Sequence, residues 1–284
     1  MSLPIEAAAL VLLAAFLHAA WNALVKAGHD RLVVLTLANG TGVLIALAMT
    51  PFVPLPLLAS WPFLAASIAL HTGYYFFLIR AYRVGDLSHV YPMARGLSPI
   101  LVAILAAIFA NEVPPPWGIV GVVLACAGIM SLVFDGGIPW RGDPRPLAYA
   151  AGTAVFIAAY TLTDGMGVRR AGEAISYIVW LMFLDGIPIL CFTAYVRRRQ
   201  LGSALGANWR AGCVTGALQF GAYALVIWAM SVGSMASVSA LRETSVIFAA
   251  FIGAVMLKER VGWLRIAAAI LVALGIVLMR VADI

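Results

Sequence analysis

The chain has 284 residues, of which 64% are hydrophobic and only 11% charged, with a formal net charge of +6 and a mean hydropathy of +1.02. Soluble domains carry about 25% charged residues, so a water-facing globular surface is excluded and the solvent of this chain is lipid. The positive surplus does not point to nucleic acid, since no basic, aromatic-interleaved soluble segment exists; it reads as topology signal plus a few buried cations.

A bilayer core about 30 Å thick takes roughly 20 apolar residues per helix. Breaking the apolar runs at Pro, Gly and charge predicts ten spans, near 5–25, 32–50, 62–82, 89–110, 117–134, 146–166, 174–196, 209–230, 234–257 and 262–280. The start lacks the basic n-region and short h-region of a cleaved signal peptide and reads as the first span, retained. Residues three or four apart share a helix face. Span one therefore presents His18, Asn22 and Lys26 together, with Trp21 adjacent, and span three pairs His71 with Tyr75 beside Tyr74. Lys26 also suits snorkelling to the headgroups.

Span four opens YPMARGLSP, with Tyr91, Arg95 and Ser98 along one face. Pro92 removes a hydrogen bond to the carbonyl near Ser88, and Pro99 does the same to that of Arg95. Such carbonyls are tolerated at membrane depth where they line a cavity or meet polar partners. The segment is predicted as a broken helix around a water-accessible site. Arg95 there is an anion contact, a counter-charge for Asp164 or Glu243, or both. Span six offers Tyr160 and Asp164, and Asp185-Gly186 before Pro188 is expected to break span seven. Span eight offers Gln219 and Tyr223, and span nine Ser239, Arg242, Glu243 and Ser245. Tyr177 and Tyr195 suit an interface belt. Gly212 with Gly216, and Gly121 with Gly128, suit close helix crossings. Cys126, Cys191 and Cys213 lack metal-ligand spacing and read as packing residues.

The second half repeats the first. An offset of 147 pairs Arg95 with Arg242, Ser98 with Ser245, Ile100 with Ile247, Glu112 with Glu259 and Gly128-Ile129 with Gly275-Ile276. Halves of five spans, 1–137 and 144–284, must sit upside down relative to each other, as in many secondary transporters with mid-membrane sites. The predicted fold class is an all-α integral membrane protein of ten transmembrane helices in two inverted five-helix repeats. Thirteen Lys and Arg in the odd-numbered loops against three elsewhere put both termini outside the cytoplasm by the positive-inside rule.

A lipid-facing charge costs at least about 2.5–3.5 kcal/mol, so intramembrane ionisable groups face a protein interior or a wet cavity. Arg95 and Arg242 each lie roughly 10 Å along their spans and, entering from opposite faces, converge near the midplane. Asp164 and Glu243 are the proton-coupling candidates, because a membrane-depth carboxylate balances desolvation against nearby cations. The substrate-binding set is Arg95, Arg242, His18, Trp21, Asn22, Tyr75, Tyr91, Tyr160, Gln219 and Tyr223. No HExxH, GxSxG, Asp-rich or Walker A motif occurs. Catalytic residues, metal ligands and cofactors are therefore not expected, and a membrane-embedded enzyme is the least favoured class.

The paired units AAIFANEVPPPWGIVGVVLACAGI and GAVMLKERVGWLRIAAAILVALGI, on ten spans in two halves, resemble the EamA-type family of the drug/metabolite transporter superfamily over nearly the full length. More narrowly, HAAWNALVK, RAYRVGDLSHVYPMARGLSP and AAYTLTDGMGVR are similar to a subgroup, some members of which sit near phosphonate-use genes. The resemblance implies a multi-pass inner-membrane carrier that exports or exchanges small metabolites by alternating access. Many members keep their termini cytoplasmic and load the second loop with arginines, whereas PFVPLPLLASWP has none. With the cationic and acidic residues together, the expected solute is small, polar and anionic, such as an amino acid or aminophosphonate. The expected partners are that solute and membrane lipids, with no nucleic acid, for a monomer or homodimer. A lipid-headgroup translocator shares most of these features.

Overall fold

At membrane depth only the chain itself can satisfy backbone N–H and C=O groups, so apolar runs of this length fold as helices. The computed structural model describes residues 3–27, 31–85, 87–134, 143–196, 201–256 and 262–281. Every regular element among them is helical. In chain order these are α1 (Ile5–Ala27), α2 (Arg31–Met49), α3 (Trp61–Val84), α4 (Leu87–Phe109), α5 (Pro116–Ser131), α6 (Arg145–Val168), α7 (Ala174–Val196), α8 (Leu201–Val232), α9 (Met235–Arg242), α10 (Ser245–Met256) and α11 (Trp263–Val281), besides short 3₁₀ turns. Eight helical segments among the described residues are long and apolar enough to cross a membrane. The exterior is apolar where water would demand charge: Leu44, Ile108 and Phe251 are 66%, 67% and 65% exposed. Glu259 and the basic residues Arg141, Arg197, Arg198, Arg199, Lys258 and Arg260 lie outside the described residues.

Two expected breaks do not occur. Helix α4 runs unbroken through Pro92 and Pro99, and α7 through Pro188. An internal proline forfeits one backbone bond and bends a helix, but packing on both sides can hold the rest in register. The Arg95 carbonyl that Pro99 cannot reach is satisfied by the Ser98 hydroxyl at 3.2 Å. The break falls instead between α9 and α10, where a single span over 234–257 was expected. Helix α9 ends at Arg242 and α10 begins at Ser245. Between them Glu243 and Thr244 donate their N–H groups to Ala240 and Leu241, both at 3.1 Å, which overwinds the turn. The Thr244 hydroxyl takes the Leu241 carbonyl at 2.8 Å, competing with the helix ladder. Helix α8 also starts earlier than the expected 209, at Leu201.

Helix packing follows an exchange rule between the halves. Helix α3 packs on α6 and α8 on α1; α2 packs on α8 and α7 on α3; α4 packs on α6 and α10 on α1. The pairs α2–α7 and α5–α11 are their own counterparts. The rule holds at single residues. A Cβ on Gly121 would strike the Gly275 carbonyl at 2.5 Å, and one on Gly128 the Ala268 carbonyl at 2.9 Å. At the offset of 147, Gly128 corresponds to Gly275 and Gly121 to Ala268, so the two contacts are exchange partners. The other small-residue pair serves the same end within the chain, Gly212 lying against Leu37 and Gly216 against Ala38 and Thr41 of α2. Of the cysteines, Cys126 is buried while Cys191 and Cys213 are exposed, so only the first packs in the interior.

Gly121→Val is expected to cost about 1–3 kcal/mol by overpacking the α5–α11 crossing. Gly42→Ala, at a position with open space around it, should leave stability unchanged or slightly raised. Thermal unfolding of the purified variants in one detergent makes the comparison.

Candidate functional site

Glu243 occupies the break between α9 and α10 with no exposed surface. That position suits it, since a carboxylate is stabilised ahead of a helix N-terminus and a cation in a last helical turn. Arg242 fills the last turn of α9. Arg95 reaches the same carboxylate from α4: its Nε lies 2.8 Å from Glu243 Oε2, and Arg242 Nε lies 3.7 Å from Oε1. Arg95 Nη2 also approaches the Ser245 hydroxyl at 3.5 Å. The two repeat-related arginines therefore converge on one acid, which identifies Glu243 and not Asp164 as the counter-charge of Arg95.

Two cations against one anion leave the cluster a net charge of +1. The contacts are close in distance but poorly aligned for hydrogen bonding. Arg95 Nε, Arg242 Nε and Nη2 and both Glu243 oxygens are buried without a hydrogen-bond partner among the described residues. Buried polar groups are almost always paired, so this cluster holds unmet donor capacity. Around it lie Tyr91, whose ring centre is 5.9 Å from the Arg95 guanidinium carbon, and His18, which is in electrostatic reach of both arginines. His18 meets Trp21 edge-on at 5.0 Å, and the Trp21 Nε1–H is buried and unpartnered.

A second polar cluster lies next to the first. Asp164, fully buried on α6, accepts the hydroxyl protons of Tyr177 at 3.0 Å and Tyr223 at 2.6 Å. His71 of α3 approaches the Tyr223 hydroxyl at 3.3 Å and Asp185 of α7 at 3.8 Å. Tyr160 joins the clusters. It stacks on His71 with ring centres 4.0 Å apart and senses Arg95, Arg242, Glu243 and Asp164 electrostatically. Tyr75 lies in the field of Asp185 and Tyr160.

Not every expected residue joins. The Asn22 amide donates to its own helix, at the His18 carbonyl 2.7 Å away, and Gln219 has its amide oxygen buried without a partner. Lys26 has no described side chain. Tyr177 is not an interface residue, because its ring is fully buried and its hydroxyl serves Asp164. Tyr195 is 72% exposed, as a belt residue should be.

Sequence reasoning treated Glu112 only as a repeated motif residue and Arg169 only as loop charge. In the structure they pair, and the pair ties off two helix ends. Arg169 donates to the carbonyls of Met230 at 2.9 Å and Gly233 at 2.7 Å, around the end of α8, while Glu112 accepts the Met235 N–H of α9 at 3.0 Å. These are the orphan groups every helix leaves at its termini. The corner NEVPPP positions Glu112: Asn111 adopts a left-handed φ of 56°, and the Glu112 N–H closes on the Ala106 carbonyl at 3.0 Å. The available signal was that opposite charges stand on one predicted membrane side.

Helices with an apolar exterior, packed as two exchange-related halves around buried cations and carboxylates, define a multi-pass membrane protein. The sequence profile of the EamA-like transporter family matches residues 6–134 and 145–281. The chain belongs to that family. Its members are transporters of small solutes, and that class is this chain's. A solved structure described only as "Crystal structure of protein" shares the fold, with a TM-score of 0.71 at 17% identity over 96% of this chain and 94% of that one. No curated protein matches the chain.

Glu112→Ala is expected to lower stability by about 1–3 kcal/mol, because it strands the Arg169 guanidinium and the Met235 N–H. Glu112→Gln, which keeps one acceptor for the N–H, should lose less. Unfolding in detergent ranks the three proteins.

Proposed function

We propose that this chain is a secondary active transporter, an exporter or exchanger in the bacterial inner membrane, working by alternating access around a central cavity between two inverted five-span halves, 1–137 and 144–284. Its solute is small and polar with an anionic group, a carboxylate or phosphonate, and a zwitterion such as an amino acid or aminophosphonate fits best. The observation that carries this reading is the pair of arginines sharing one glutamate, with buried N–H groups left without a hydrogen-bond acceptor among the described residues.

An incoming acid group competes with Glu243 for Arg95 and Arg242. Guanidinium groups suit this task, since each presents several donors in a planar fork matched to a carboxylate or phosphonate. Once its arginines turn to the solute, Glu243 loses its counter-charges, and proton uptake there would complete the exchange. The solute's amine would face the Asp164 side of the site. Tyr160, Tyr91, Tyr75, Tyr223, His18, Trp21, Asn22 and Gln219 shape the space between. The exchange-related packing of α3–α6 with α8–α1 supports an inverted repeat, and α9 with α10 supports one interrupted ninth span in a set of ten. Discontinuous helices of that kind surround midplane sites in secondary carriers.

In proteoliposomes carrying the purified protein, counterflow of radiolabelled alanine and of 2-aminoethylphosphonate tests the reading. For a solute that is transported, Arg95→Gln and Arg242→Gln should each reduce the rate by about tenfold or more, in line with the loss of a charged hydrogen-bond pair. Unchanged uptake in both variants would sink the anion role.

A further inference from the structure

The His71 cluster holds a hydrogen-bond puzzle that fixes a tautomer. His71 Nδ1 lies 3.0 Å from the Ser67 carbonyl, which can only accept, so that nitrogen carries a proton. The Ser67 hydroxyl, 3.1 Å from the same nitrogen, is in hydrogen-bonding reach of Asp164 and can donate there. On the other side of the ring, Nε2 faces the Tyr223 hydroxyl at 3.3 Å, and that hydroxyl is 2.6 Å from Asp164 Oδ2. Tyr223 has one proton and stands between two acceptors.

Two arrangements satisfy this line. With the Tyr223 proton directed at Asp164, His71 Nε2 must carry its own proton and donate it, giving an imidazolium beside a carboxylate. With the Tyr223 proton directed at Nε2, Asp164 must be the protonated partner and donate to Tyr223, leaving both ends neutral. The two differ by a proton passed through the phenol, O–H to N at one end and O–H to O at the other, with none gained or lost. Remove that proton and one of the contacts sets lone pair against lone pair at hydrogen-bond distance. The remaining charged and titratable groups around the ring are Tyr160 of α6 and Asp185 of α7. Tyr74 and Tyr75 lie further along α3, and Arg95 and Arg242 act on Tyr160.

We propose that Asp164, Tyr223 and His71 form a proton-binding relay that holds one mobile proton, and that this proton bolts α3 of the first half to α6 and α8 of the second. Proton loss to water turns one hydrogen bond of the line repulsive and loosens α3 from those helices. Proton binding restores the bolt. The relay is distinct from the arginine–Glu243 cluster and uses His71, which composition and spacing left without a role. Its service to transport rests on the carrier reading above, whereas the relay itself needs no solute.

Nitrogen-15 NMR of histidine-labelled full-length protein in nanodiscs, followed through a pH titration, tests it without a solute. The His71 signals are assigned by their loss in His71→Gln, or by elimination with His18→Gln, His29→Gln and His89→Gln. The expected neutral form of His71 is the Nδ1–H tautomer, the less common one for histidine in water. In Tyr223→Phe the His71 midpoint should move by about one pH unit or more, a tenfold change in proton affinity. A neutral His71 protonated on Nε2 would overturn the relay in the wild-type protein, whatever the variants do. So would a midpoint unmoved in Tyr223→Phe. Neither result touches the uptake experiment, so the two readings fail separately.

Discussion

A permanent cation at membrane depth needs an anion within a few ångströms, because neither lipid nor a dry helix interface can replace its hydration. This chain answers with one glutamate for two arginines. Glu243 stands at the junction of α9 and α10, flanked by Arg242 in the turn before it and reached by Arg95 from α4 of the other half. The same contact that neutralises most of the charge also joins the halves at their centre. What it leaves over is one unit of positive charge and several buried donors without acceptors. Those are the properties on which the proposed anion site rests.

The rest of the fold serves that junction. Exchange-related crossings, with glycines at the two α5–α11 contacts, bring α4 and α9 face to face. The helix interruption at Glu243 exposes a helix end on each side of the acid, with Arg242 in the last turn before it, where the helix dipole favours a cation. The Glu112–Arg169 pair then secures the far end of α9 and the end of α8. Helix α9 is thus held by charge at both ends, over only eight residues. A short helix pinned this way moves as a unit or not at all, which suits the alternating access proposed above.

Much of this was legible in the sequence, and what was not follows a pattern. The spans, the repeat and the convergence of Arg95 with Arg242 come from apolar run length and a fixed offset, both one-dimensional signals. The broken helices were expected at spans four and seven because proline is a local rule. Pro92 and Pro99 cost α4 individual bonds that Ser98 and packing make good. The actual interruption, at Glu243 and Thr244, carries no proline and depends on where a buried acid must sit. Tyr177 resembled a belt residue because nothing in its neighbourhood along the chain announces Asp164. The stack of Tyr160 on His71 and the Glu112–Arg169 pair join residues far apart in the chain, and no spacing on one helix encodes them.

Double-mutant cycles on Glu243 test the shared counter-charge most directly. Unfolding free energies of Glu243→Gln, Arg95→Gln, Arg242→Gln and the two double variants give a coupling energy for each arginine. Both should exceed about 1 kcal/mol, as expected for close buried charges, with Arg95 the stronger because its contact is shorter. A coupling confined to Arg95, with Arg242 indifferent to the loss of Glu243, would contradict the account.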